Sequence, residues 1–384
     1  FIISLILIST TSCKEDIPGS SGTKINVSQS LRTDLKLSDL IILTGFTILS
    51  PSGDCTIRSI HKVIYVSDKI VVLDNETDFK NVWMFDNNGT FIEKVFTEGD
   101  ASNQYKGLND ISAYKDEITL LSAAKREFLS YSINSKIPKT LSTGAIGDML
   151  ERTRNGNYIL YNEHSGTEVT QNNYLVFYDD SGNLIKTEIP YSIEKENVSY
   201  EYTGFLSRSG QQIWFSPPFS NIVYEVGSNG STPRYEFDFG PANLPADLQN
   251  RKLRLPDVEN FGFLNEWFVK NNNMIQFEYQ LNNRVCHGIY DESTGQFCDI
   301  RNIVIDPYSK LFSRGTVMPK SEDEFILTLR AGQVESLVED KLADKNSLNQ
   351  LFPGLGDALE TAYNRHQPII LSFKYKEGAK IAVL

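Results

Sequence analysis

Beyond residue 50 the chain repeats one pattern: a β-run, a polar turn, a stronger β-run, a connection, a third β-run, a short Gly/Asn turn and a fourth run. The clearest copy spans Ser59 to Phe96, as SIHKVIYV, the turn Ser67-Asp68, KIVVLD, NVWMFD, the turn Asn87-Asn88-Gly89, and TFIEKVF. Four short strands joined by turns make an up-and-down antiparallel sheet. The second strand recurs as EITLLS (117–122), NYILYN (157–162), QQIWFS (211–216), MIQFEY (274–279) and EFILTL (324–329). Third strands follow as FLSYSI (128–133), YLVFYD (174–179), NIVYEV (221–226), RVCHGIY (284–290) and PIILSFKYK (368–376). Successive second strands start 48, 40, 54, 63 and 50 residues apart. Six four-stranded units at such spacings predict an all-β, six-bladed β-propeller, in which each sheet covers its faces with its neighbours and cannot fold alone. A β-sandwich needs fewer strands, and a TIM barrel needs a helix after each one.

The sixth unit supplies only three strands before the chain reaches Leu384. The unassigned run Asp39 to Ile48 (DLIILTGFTI) is the expected donor of the fourth, pairing with Pro368 to Lys376 and leaving no open edge between first and last blades. Turns joining strands one to two and three to four are short, and lie on one face of the disc. Longer connections fall on the other: Thr97 to Asn109, Glu163 to Asn173, Tyr191 to Glu201, Gly240 to Asp257, Ile303 to Lys310, and Ala331 to Gln367. In that last insertion Val334, Leu337, Val338, Leu342, Leu348 and Leu351 follow helical spacing, and Pro353-Gly354 breaks it before a second helix, Asp357 to Arg365. The insertion is expected either to build a binding surface on the long-connection face or to plug the central channel.

The N-terminus carries an address. Phe1 to Ile8 (FIISLILI) is an unbroken apolar run too short to span a bilayer, followed by Ser9, Thr10, Thr11, Ser12 and Cys13. This reads as the end of a secretory signal. A cysteine directly after such small residues resembles the lipobox of bacterial lipoproteins, which implies cleavage before Cys13 and acylation of that residue. Lys14, Glu15 and Asp16 resemble the Lys and acidic residues that follow the lipidated Cys in surface-exported lipoproteins of Bacteroidetes. The expected organisation is a signal peptide over 1–12, truncated at its start, a lipidated flexible tether over 13–30, and a propeller over 31–384 with its helical insertion near 331–367. The expected address is the outer membrane, surface-exposed or facing the periplasm.

Cys55, Cys286 and Cys298 remain, an odd number. Arg284 to Tyr290 and Gln296 to Arg301 read as a hairpin turning at Glu292 to Gly295. If Asp291 pairs with Gln296, Cys298 lies opposite Ile289, three rungs from Cys286 and on the other face, too far for a disulfide. No metal-ligand spacing accompanies either thiol.

Composition narrows function. Lys plus Arg number 37 against 49 Asp plus Glu, for a net charge of −12, which argues against sequence-independent nucleic-acid binding. The four histidines, His61, His164, His287 and His366, sit in different units with no HExxH-type pair. Two Ser-x-x-Lys matches, at Ser59 and Ser122, lack the partner motifs of a serine enzyme. Asp86-Asn87-Asn88-Gly89 lacks the later Glu of a calcium loop. No catalytic residues, cofactor or metal ligands are assigned. The candidate binding residues are aromatic: Trp214 and Phe219, leading onto the long-connection face, and Trp267 in the inner strand of the fifth unit. Such rings fit sugar stacking, a protein anchor, or packing between blades.

The sequence resembles the six-bladed β-propeller lipoproteins of Bacteroidetes, a family of unknown function. The resemblance rests on Cys55 to Val63 (CTIRSIHKV), Ile70 to Asp74 (IVVLD), Phe85 to Phe91 (FDNNGTF), the helical insertion, and the strand before Lys376. Members carry a Gly-x-Gly-Pro-Gly-Glu-Tyr-like stretch after the first blade. Here Gly99 to Tyr105 keeps only the first Gly and the Tyr, and Tyr105 joins the candidate binding residues. The resemblance implies fold and address. The expected function is a lipid-anchored, non-catalytic binding or scaffold module, held at the membrane by its acyl chains and recognising a glycan, peptide or protein through the long-connection face. The alternative is a hydrolase or lyase with a metal at the central channel.

Overall fold

The computed structural model describes residues 22–29, 34–76, 79–136, 138–196, 204–249, 251–340 and 344–381. Cys13, the apolar run before it, Lys14 to Asp16 and Leu342 lie outside the described residues. The fold is mostly β, with six antiparallel sheets among the described residues in a propeller-like arrangement. Two strands precede the repeats, β1 (Thr23–Asn26) and β2 (Ile41–Ile48), separated by the one-turn helix α1 (Leu37–Leu40). Sheet 1 holds β3 (Ile60–Val66), β4 (Lys69–Glu76), β5 (Phe79–Asp86) and β6 (Phe91–Lys94). Sheet 2 holds β7 (Leu108–Tyr114), β8 (Glu117–Ser122), β9 (Glu127–Ser132) and β10 (Pro138–Ser142). In sheet 3 the strands are β11 (Met149–Arg152), β12 (Tyr158–Tyr161), β13 (Asn173–Tyr178) and β14 (Leu184–Pro190). Sheet 4 runs β15 (Phe205–Ser209), β16 (Gln212–Ser216), β17 (Ile222–Gly227) and β18 (Gly230–Asp238). The short helices α2 (Ala246–Gln249) and α3 (Leu255–Val258) lead into sheet 5, made of β19 (Phe263–Asn271), β20 (Met274–Gln280), β21 (Val285–Asp291) and β22 (Gln296–Asp299). Helix α4 (Pro307–Phe312) precedes β23 (Thr316–Pro319) and β24 (Glu324–Leu329). Three helices then intervene, α5 (Ala331–Glu339), α6 (Lys345–Leu351) and α7 (Leu355–Asn364), before β25 (Ile369–Tyr375).

Sheet 6 has the order β2-β25-β24-β23, with Ile41 opposite Tyr375 and Ile48 opposite Ile369. The run 39–48 thus supplies the strand that the sixth repeat lacks.

Burial explains the sequence pattern strand by strand. In β4 and β12 nearly every side chain is buried, because both faces of a middle strand are covered by neighbouring sheets. The last strands, such as β10 and β14, face solvent and carry Lys, Thr and Glu. Successive sheets meet along apolar seams: 1 with 2, 2 with 3, 3 with 4, 4 with 5, 5 with 6, and 6 with 1 through Met318, Ile326 and Ile370 against Val63, Ile70 and Val72. The aromatic content fills these seams. Phe128 stacks on Tyr158 at 4.4 Å between sheets 2 and 3, and Phe205 on Phe268 at 5.9 Å between sheets 4 and 5.

The first strands, β3, β7, β11, β15, β19 and β23, each expose one unpaired edge, which must find partners. Side chains of the adjacent first strand supply them. Asp110 accepts from Leu150 N at 2.8 Å and Ser112 from Arg152 N at 3.1 Å. Ser207 donates to Phe268 O at 3.0 Å and Ser209 accepts from Lys270 N at 3.1 Å.

Two expectations are corrected. The stretch 13–30 is not wholly a flexible tether: Thr23–Asn26 forms β1, parallel to β18 on the outer edge of sheet 4. Ile25 in β1 and Val27, the first residue of the 3-10 turn that follows it, are both buried in the seam with sheet 5. The docked chain therefore reaches back at least to residue 22, ahead of the expected boundary at 31. The insertion also contains three helices where two are expected. Asp344 caps α6 by accepting from Ser347 N at 2.8 Å, which starts a new helix where continuous spacing suggests one. Helix α7 packs on β2, the outermost strand of sheet 6, and Phe352 meets Phe46 edge-on at 6.0 Å. Helix α5 contacts β24, so the helices pack against sheet 6 itself.

The sheet 5 hairpin has Asp291 opposite Gln296 and Ile289 opposite Cys298. Cys286 faces the seam with sheet 4 and Cys298 the seam with sheet 6. Both are buried and the two are not joined to each other; Cys55 is buried as well.

Candidate binding site

Three of the four candidate aromatics are packing residues in this fold. Trp214 is 1% exposed, with its ring 5.3 Å from Phe268 and 5.7 Å from Tyr235. Phe219 packs edge-on against Phe263 at 5.0 Å in a buried cluster with Leu244, Leu253 and Val258. Tyr105 is buried in the seam between sheets 1 and 2, and its hydroxyl donates to Lys80 O at 2.6 Å. A ring in a seam cannot stack on a ligand without opening the sheets, so these three are corrected from binding candidates to core. Trp267 is half-buried on β19, 5.6 Å from the His287 ring.

A charged cluster that the sequence reading did not assemble braces the first strands of sheets 1 to 4. Lys62 of β3 lies 3.0 Å from Asp110 of β7 and 2.9 Å from Glu151 of β11. Arg208 of β15 reaches Glu151 at 3.2 Å, and the Ser112 hydroxyl donates to it at 3.0 Å. Burial pushes the Asp110 carboxyl up, and Lys62 with the Leu150 N–H only partly offsets this, so it stays above its ordinary value. Burial also acts on Glu151, but Lys62, Arg208 and Ser112 together overcome it and hold that carboxyl below its ordinary value. Lys62 is likewise desolvated, and the two carboxylates keep its ammonium above the ordinary value. Two cations and two carboxylates balance in formal charge, and the buried Arg208 Nη2 has no hydrogen-bond partner among the described residues. Among the described residues, no group of three or more His, Cys, Asp or Glu side chains is placed to hold a metal ion.

An open pocket of about 530 Å³ lies elsewhere, on the long-connection face. Ile57 and Arg58 approach the start of β3, Ser313 and Arg314 approach the start of β23, and Arg330, Ala331, Gly332, Gln333 and Ser336 follow β24 into α5. All three segments join the same ends of inner strands, which fixes their common face. Among the described residues, the ionisable side chains in the lining are three arginines, in a protein whose net charge is −12. The Arg58 guanidinium sits over the Phe79 ring, 4.1 Å from its centroid. A second pocket, of about 510 Å³, opens among the short turns of sheets 3, 4 and 6. There Arg154 and Arg234 are balanced by Glu225 and Glu322, and Arg234 already pairs with Glu225 at 2.7 Å. The arginine pocket is the better candidate, because its charge is not cancelled within its own lining.

A family described as a domain of unknown function, DUF4934, matches residues 22–365. No curated protein matches the chain. Among solved structures, a protein of Bacteroides fragilis described as exported has 16% sequence identity and a TM-score of 0.70, over 92% of this chain and 100% of that one. This likeness supports a shared fold. A DUF4221-family member from Bacteroides vulgatus has 7% identity and a TM-score of 0.47, over 88% of this chain and 99% of that one.

Proposed function

The chain belongs to the DUF4934 family, and from that premise we propose that it is an exported, lipid-anchored, six-bladed propeller acting as a non-catalytic binding module through its long-connection face. Several observations support the closed ring: six seams join six sheets in cyclic order, and β2 fills the outer position of the last one. Export and anchoring through Cys13 draw on the apolar run and small residues before that cysteine, and on the fold shared with a protein described as exported. No helix among the described residues is long and apolar enough to cross a membrane.

The observation that carries the binding reading is the arginine-lined pocket, which three connections build at the ends of rigid inner strands on the face expected to bind. In the charged cluster of the first strands both carboxylates are ion-paired, which fits a bracing role between sheets.

Two experiments test this. Expressed behind a lipoprotein leader, the Cys13→Ser variant should move from the membrane fraction to the soluble one. An unchanged membrane fraction would refute the anchor. The chain from residue 22 should retain specific partners in a glycan array and in affinity capture, and specific binding in neither would refute the module.

A further inference from the structure

The three guanidinium groups invite a more specific reading, which rests on the binding-module proposal. Arg58, Arg314 and Arg330 come from three separate connections, and among the described residues no carboxylate lines the pocket they share. Their existing partners are weak. Arg58 lies 4.0 Å from Glu76, and Arg314 lies 3.3 Å from Asp340; in both pairs each side chain is roughly half exposed or more. Exposed pairs of this kind contribute little and are readily exchanged for another anion. Among the described residues, the Arg330 guanidinium has no acceptor within hydrogen-bond distance.

The Phe79 ring under Arg58 restricts its plane, so its fork of donors is partly pre-oriented for an oxyanion. Ala331 and Gly332 add backbone N–H groups from the first turn of α5, where the helix itself offers no acceptor. The remaining lining is small: Ile57 and Ala331 are apolar, and Ser313, Ser336 and Gln333 are polar. The Ser313 hydroxyl already donates to Lys310 O at 2.8 Å and the Ser336 hydroxyl to Asp340 at 3.1 Å, which leaves both oxygens as acceptors, while Gln333 Oε1 accepts from Arg330 N at 2.8 Å, which leaves its NH2 as the donor. That composition suits a hydroxyl-rich ligand and offers no cleft for the apolar anchor of a peptide. The net charge of −12 opposes a long polyanion such as nucleic acid. A volume of about 530 Å³ falls in the range of small-molecule sites.

We infer that this pocket is an oxyanion subsite that takes the carboxylate or sulfate of an acidic saccharide, with Arg58, Arg314 and Arg330 supplying the charge and the serines and Gln333 meeting the hydroxyls. Carboxylate and sulfate share the required chemistry, and separate probes distinguish them.

The test is calorimetric titration of the chain from residue 22 with glucuronate, glucose 6-sulfate, glucose and inorganic phosphate, at low and physiological salt. At least one acidic sugar should bind about tenfold or more tightly than glucose, with affinity falling as salt rises. Arg330→Gln and Arg314→Gln should each weaken it about tenfold or more at an unchanged melting temperature. Arg154→Gln, on the opposite face, should leave it unchanged. Equal binding of charged and neutral sugars, or arginine variants without effect, would overturn the inference. Phosphate binding as tightly as the acidic sugars would overturn its saccharide part. If the array or capture finds a partner while every acidic probe fails, this inference falls and the binding-module reading stands; failure of all probes and partners refutes both.

Discussion

Lys62 shows how one residue ties the repeat together. It is the single cation between Asp110 and Glu151, and its side chain joins first strands of three sheets. Removing Lys62 leaves Asp110 buried without its ion-pair partner while Glu151 keeps Arg208, and an uncompensated buried charge is far more costly than the net contribution of the intact group. Lys62→Met should therefore lower unfolding stability by about 3–5 kcal/mol in denaturant titration; a loss below about 1 kcal/mol would mean that water already compensates the carboxylates. The pH dependence follows from Glu151, whose carboxyl is held low. A depressed carboxylate stabilises the fold above its unfolded value, near 4.5, and that contribution is lost as pH falls through the lower folded value. The advantage of the natural chain over Glu151→Gln, full at pH 7, should shrink steadily below about pH 4.5. An advantage that grew on acidification would contradict the assigned direction. None of this was legible in the sequence, because Lys62, Asp110, Glu151 and Arg208 occupy four repeats, and only the side-by-side packing of first strands brings them together. The candidate rings failed for a related reason: Trp214 in a seam and a tryptophan on a surface have the same neighbours in sequence.

At the scale of elements, the pairing of β2 with β25 was legible because the sixth repeat is one strand short, a deficit that can be counted. The hairpin register at Asp291 and Gln296 was legible because Glu292 to Gly295 leaves little choice of turn. Strand β1 was not, since four residues within a Gly- and Ser-rich stretch carry too little pattern until Ile25 is seen buried. The end of β2 meets sheet 1 at a close backbone contact: Ser50 N donates to Gly89 O at 2.7 Å. Gly89 has φ +82°, and a Cβ there would lie 2.1 Å from Ile48 O. A left-handed conformation costs a non-glycine residue about 1–2 kcal/mol, and the contact adds to it. Gly89→Ala should thus destabilise the protein by about 2 kcal/mol or more, read as a lower denaturation midpoint, and an unchanged midpoint would show that the turn relaxes freely. Deleting residues 34–50 removes the outer strand of sheet 6 and uncovers Leu371 and Phe373 on β25. The product should aggregate or melt without cooperativity, and one that melts like the full chain would contradict a structural role for β2.

For the whole molecule, the repeat, the long and short connections and the acidic balance all belong to one arrangement. Middle strands take the apolar runs, outer strands such as β10 and β14 carry the exposed polar residues, and the long connections gather at the ends of inner strands, where the arginine pocket opens. The face was legible from loop lengths; the pocket was not, because Arg58, Arg314 and Arg330 are brought together only when sheet 6 meets sheet 1. The central claim is that binding belongs to this face. It can be tested by conjugating a bulky polymer through a single engineered cysteine in the chain from residue 22, at Asn103→Cys beside the long connections or at Asp68→Cys in a short turn. The natural thiols compete poorly, since burial pushes Cys55 up to about 12 and Cys298 up to about 11 and raises Cys286 as well. Conjugation at Asn103→Cys should abolish capture of whatever partner the unmodified chain retains, and conjugation at Asp68→Cys should leave it intact. The reverse pattern, or equal loss from both faces, would contradict the account.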